Sequence, residues 1–173
     1  MTQPERDVEV PIIEPTELRQ VHKHRTEESS IGDCFRTTIA CLIGADQATD
    51  VPHFCEQTIA AGLDDHGGWE DIMAARRWLR DTHGLDLIFI GREQADEIGV
   101  AYKLTVKSQR GDWNHSVVGR NGAVIWDPSG ADTYTMADAY PDESVGVISM
   151  PFDPDPDEQI RRWREAESAK VSP

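Results

Sequence analysis

The chain is short of positive charge. Its 173 residues carry 17 lysines and arginines against 32 aspartates and glutamates, a formal net charge of -15. A surface of that sign repels phosphate backbones, which argues against nucleic acid as a partner. The same charge serves solubility, or it docks a face on a basic partner or mimics nucleic acid. Long apolar runs are absent too: none approaches the roughly 18 residues of a membrane helix, so no membrane contact is expected. The opening stretch MTQPERDVEVPIIEP has no basic segment followed by an apolar one. It does not read as a secretory signal, and a cytoplasmic location is the expectation. Cysteine is scarce, with Cys34, Cys41 and Cys55 the only three, and they cannot all pair with one another. Reduced thiols are therefore expected. There is no CxxC, and the two-residue spacing of His53 and Cys55 alone does not make a metal site. No metal or other cofactor is expected.

The apolar fraction is 38%, with five tryptophans. That is enough for one domain with a modest core. Residues 1–28 read as an extended arm, 29–152 as the domain and 153–173 as a charged helix or tail. Within the domain, Phe35, Ile39, Leu42 and Ile43 recur at helical spacing, Asp33 stands as N-cap and Gly44 as the C′ residue. A second helix is expected from a cap at Asp50 through about Ala61. GGWEDIMAARRWLRDTHG is the strongest helix, with Trp69, Ile72, Met73, Arg76 and Leu79 on one side, Trp78 beside them, and Gly84 at its end. The period then shortens. LDLIFIG, VAYKLTVK, the two halves of NHSVVGRNGAVIWDPSG, and VGVISMPF read as strands. The charged helix from Asp157 to Lys170 closes the chain. Helices first and then a mostly antiparallel sheet means an α+β fold.

Cys34 has a particular chemical setting. As the first residue after an N-cap, its sulfur lies near unpaired backbone N–H groups and the positive end of the helix dipole. Both favour the thiolate, the nucleophilic form. The Asp33 carboxylate opposes this if it lies close. Cys41, about two turns on, has no such field and reads as a core residue, as does Cys55.

A cysteine nucleophile needs a base, and the base needs an orienting group. Of the histidines His22, His24, His53, His66, His83 and His115, only His115 opens a clear strand, and the next strand ends at Asp127. A three-residue loop of Arg120, Asn121 and Gly122 pairs Gly119 with Ala123 and sets His115 opposite Asp127 on one face. A two-residue Asn-Gly loop shifts the register by one and separates them. Taken singly, each residue has an ordinary structural role; Asp127-Pro128 alone is a turn signal.

The order of these elements resembles papain-like cysteine peptidases, and most closely their small bacterial and phage-encoded members. Those carry a G-[ND]-C helix ending in an LLG-like stretch, a VPxF segment, a Trp-containing helix and H-[AS]-V-V followed by DP. This chain reads GDCFRTTIACLIG, DVPHF, WEDIMAARRWL, NHSVV and IWDPSG. The likeness covers roughly residues 29–135. It implies a papain-like fold with Cys34 as nucleophile, His115 as general base and acid, and Asp127 as the orienting carboxylate. The Cys34 backbone N–H would supply one oxyanion donor. Many papain-like enzymes add a glutamine shortly before the cysteine. Here none lies between Val21 and Cys34, and Gln20 is far upstream. Asn114 is a substitute donor, and Asp33 and Trp113 stand beside the site.

The expected activity is hydrolysis or acyl transfer at an amide, isopeptide or thioester through an acyl-enzyme on Cys34. The substrate class is a protein or peptide, and the setting the cytoplasm of a bacterium or of a phage's host. One alternative is a papain-like binding module without turnover, which the absent glutamine favours. Another is a cell-wall amide hydrolase, against which the charge and the lack of a signal argue. Trp69, Trp78 and Trp126 read as core. Trp113 either lines the substrate cleft or packs in a tight turn. Asp64, Asp65 and His66 read as a capped turn rather than a metal site.

Overall fold

The computed structural model describes residues 10–23, 31–62, 68–131, 133–141 and 144–151. The Asp64–His66 turn and the C-terminal helix lie outside the described residues.

Among the described residues, four α-helices and five strands form an α+β unit. The first helix, α1, runs Cys34–Leu42, and Gly44 follows in the left-handed conformation at φ +69. Asp33 sits at the N-cap position but makes no side-chain cap. Its carboxylate turns instead to the backbone amides of Val21 and His22, at 3.2 and 3.0 Å. The second helix, α2, is Phe54–Ala60, not the longer helix expected from Asp50. Pro52 disfavours a helical Val51, which is extended at φ -101, ψ 135, so the helix restarts after it. Its cap is His53, whose Nδ1 accepts from the Glu56 amide at 3.4 Å. The third, α3, spans Trp69–His83 and stops at left-handed Gly84. It buries Met73, Ala75, Arg76 and Leu79, while Trp78 is half-buried against the core.

The strands are β1 Asp86–Ile90, β2 Tyr102–Lys107, β3 Asn114–Arg120, β4 Ala123–Trp126 and β5 Val145–Ser149. They form one antiparallel sheet in the order β1-β5-β2-β3-β4. A fourth helix, α4 at Arg92–Ile98, interrupts the expected run of strands between β1 and β2. Only Ala95 of this helix is buried, so its sequence carries little apolar period.

Alternation along the strands gives the sheet two apolar faces. Leu87, Ile148, Ala101 and Val118 pack with α1 and α3 on one. Ile88, Val147, Tyr102, Leu104 and Val117 pack on the other with Ala95 and Tyr134. The described part of the arm, residues 10–23, holds no helix or strand and is bonded to the domain. Thr16 N donates to Cys41 O and Gln20 N to Pro128 O, both at 3.0 Å. Its Ile13 and Leu18 join the first core.

Candidate active site

The hairpin joining β3 to β4 decides whether His115 and Asp127 meet. It has the two-residue loop: Arg120 pairs with Ala123 and Gly119 with Val124, with Asn121 and Gly122 both at positive φ. This matches the two-residue turns whose twist suits a hairpin. Alone, that register would separate the two side chains. A bulge then shifts the ladder, so that Val118 pairs with Trp126 and Ile125 is the extra residue. Continuing that count sets Asp127 level with Val117, on the face that His115 shares. His115 Nε2 and Asp127 Oδ1 are 2.8 Å apart. Of the two loops the sequence leaves open, the two-residue one forms, and the bulge returns His115 and Asp127 to one face, diagonal rather than directly opposed.

Asp127 is buried and well supplied with donors. Besides His115, it accepts from Ser129 N at 2.8 Å, Ser129 Oγ at 2.7 Å and Ala131 N at 3.1 Å. Burial pushes its carboxyl up, but His115 and Ser129 outweigh this and hold it at about 2. With Nε2 engaged, the imidazole turns its Nδ1 toward Cys34. Tyr134 packs its ring 5.0 Å from the imidazole, and its hydroxyl accepts from Gln109 N at 3.1 Å.

Cys34 reaches His115 because β4 stops at Trp126. Beyond that point no described strand pairs with the β3 edge, and the start of α1 lies against it. Thr38 Oγ1 donates to Ser116 O at 3.2 Å, and the Ser116 backbone hydrogen-bonds the Cys34 sulfur. Burial pushes the half-buried Cys34 thiol up, yet the hydrogen bond and charge of His115 lower it overall. Burial likewise works against the His115 cation, while Asp127 and Cys34 raise it to about 9. Both shifts favour the same state, a thiolate beside an imidazolium. Cys41, by contrast, is pushed by burial to about 11.

The other expected residues fall differently. Asp33 does not line a cleft: its side chain is fully buried, bonded to Arg36 at 2.5 Å and to the arm. The opposition it was expected to offer the thiolate is met by that ion pair. Asn114 is exposed, its Oδ1 accepts from the Tyr140 hydroxyl at 2.8 Å, and alternation turns it away from His115's face. Trp113 has the packed form. Its indole lies over Gly111, where an added Cβ would come within 1.7 Å of the ring.

Gln20 is the residue that spacing concealed. Its backbone N bonds Pro128 O, and its Nε2 donates to His22 O at 2.7 Å. The same carbonyl accepts from Asp33 N at 3.0 Å. The Gln20 amide therefore sits beside the backbone entering α1, and its Oε1 is buried without a partner among the described residues. Arg19, the residue before it, stacks 4.0 Å over Trp126 and donates to Asp127 O at 2.9 Å. Neither had a local signal, because only the folded arm brings them here. Ser129 lies in the turn that Asp127-Pro128 signals, but nothing in the sequence marked it as a partner of Asp127.

Among the described residues, no group of three or more histidines, cysteines and acids could hold a metal ion. None of the described helices is long and apolar enough to cross a membrane. No protein-family model matches the chain, and neither a curated protein nor a solved structure does.

Proposed function

We propose that the protein is a papain-like cysteine hydrolase or acyltransferase acting on an amide, isopeptide or thioester bond. The observation that carries this is the relay itself. Asp127 holds one imidazole nitrogen of His115 at 2.8 Å while the other faces a cysteine at the start of a helix. Packing alone requires no such alignment of three titratable groups.

In the proposed mechanism the Cys34 thiolate attacks a carbonyl carbon. The developing oxyanion takes hydrogen bonds from the Cys34 backbone N–H and from Gln20 Nε2, which swings from the His22 carbonyl. Imidazolium His115 protonates the leaving amine or thiolate, and the acyl group stays on sulfur. His115 then takes a proton from water, or from another acceptor, which attacks the acyl-enzyme and frees Cys34. Asp127 keeps the imidazole oriented and stabilises its charge.

The binding-module reading drew on the missing glutamine, and Gln20 lying beside Asp33 removes that support. A protein or peptide substrate in the cytoplasm of a bacterium, or of a phage's host, follows from the family resemblance alone. The test is acyl-enzyme capture. The protein is mixed with peptide amides, isopeptides and peptide thioesters, quenched in acid and weighed intact. A mass increase on Cys34 that Cys34→Ala and His115→Ala both lack is expected. No adduct with any acyl donor, from a Cys34 that also titrates as a free thiol, would refute the proposal.

A further inference from the structure

Lys103 occupies an unusual place for a lysine. It lies on β2, between Val118 of β3 and Gly146 of β5, on the face that α1 covers. It is only 8% exposed, and lysine is among the least often buried residues. Its Nζ donates to the Thr105 hydroxyl, which holds the ammonium at the end of the sheet nearest the α1 start. Thr105 in turn pairs with Ser116, the residue whose backbone bonds the Cys34 sulfur.

We propose that Lys103 is a positioning residue of the candidate site: a second fixed cation that favours the Cys34 thiolate independently of His115. This rests on the hydrolase reading above. Neighbouring strands lie about 4.8 Å apart and Cys34 meets Ser116 from the far side of β3, so an ammonium on Thr105 stands about one strand spacing from the Ser116 backbone and roughly 8–10 Å from the sulfur. At that range, in a partly buried site, a charge still acts on a thiol. The field of Lys103 also lowers the Cys34 pKa, a smaller effect than that of His115.

Among the described residues, the charged groups of the surrounding elements make these contacts. Asp33 and Arg36 at the start of α1 form an ion pair. Asp86 of β1 is held by Arg76 and Arg80 of α3. Asp127 belongs to His115. Glu70 and Asp71 are buried at the start of α3, and Thr58 donates to Asp71. His53 caps α2, and exposed His22 lies on the arm. A cation so placed outlasts each proton transfer of His115. It would keep the sulfur a good leaving group when the acyl-enzyme breaks down, at the moment His115 serves as base.

The experiment is iodoacetamide alkylation of Cys34 against pH in wild type, His115→Ala, Lys103→Met and the double variant. Lys103→Gln, which keeps a donor for Thr105, serves where the Met variant does not fold. Lys103→Arg restores the charge. His115→Ala should raise the apparent thiol pKa, because burial then faces only the weaker contacts that remain. Removing Lys103 as well should raise it further and slow alkylation at neutral pH, by about tenfold for each unit of pKa. The Arg variant should retain most of the wild-type rate. If His115→Ala and the double variant titrate together, Lys103 has no such role and the hydrolase reading stands. If His115→Ala titrates like wild type, the hydrolase reading itself falls.

Discussion

Replacing Asp127 by asparagine keeps the side-chain shape and removes the charge that organises the site. In the folded protein the carboxylate accepts four hydrogen bonds, from His115, Ser129 N, Ser129 Oγ and Ala131 N. Its pKa is held at about 2, against an ordinary 3.8. The side chain is only 2% exposed, so water screens this little. The gap of just under two pH units corresponds to about 2 kcal/mol of stability. Because the folded value is depressed, that stability is present above about pH 4 and is lost as pH falls through about 2. Asp127→Asn should therefore lose about 2 kcal/mol at neutral pH, or roughly 4–8 °C in Tm for a chain of this length. Denaturant unfolding from neutral pH into acid is the assay. The wild-type and variant stabilities should draw together from about pH 4 downward and meet below about pH 2, since protonation does to one what mutation did to the other. His115, raised to about 9 partly by this carboxylate, should fall toward its ordinary value, and Cys34 alkylation at neutral pH should slow. A stability difference that stays constant down to acid pH would refute the reasoning. It would mean that the Asp127 charge is not what binds the turn and the imidazole together.

Gln20→Ala should lower turnover by about 100- to 1000-fold, as loss of an oxyanion donor does, while leaving the pH profile of Cys34 alkylation unchanged. A shifted alkylation profile would instead assign Gln20 to the resting ion pair. Gly119→Ala should destabilise the sheet by about 1–3 kcal/mol in denaturant unfolding. The new Cβ would lie 2.2 Å from the ring of fully buried Tyr102, and an unchanged midpoint would mean that the ring yields freely.

Local chemistry was enough for much of this protein. The apolar period of α1 and its terminal Gly44, the Trp69–His83 helix with left-handed Gly84, and the alternating strands are short-range patterns, and they were legible as such. So was the class, α+β. The pairing of Cys34, His115 and Asp127 could be posed from sequence as well, but the register that joins two of them could not be settled there. Asn121-Gly122 drives a two-residue turn by its own φ preference, which taken alone misplaces Asp127. The bulge at Ile125 answers to the packing of both sheet faces, a quantity that no local window contains. The same holds for α2, where Pro52 overrode the cap at Asp50, and for α4, whose single buried residue left almost no period. Gln20 and Lys103 are the plainest cases. One is distant in the chain, and the other lies on a strand whose pattern reads as ordinary alternation. Tertiary structure alone carried them toward the start of α1, because the arm folds across Asp33 and α1 covers the face of β2 on which Lys103 lies.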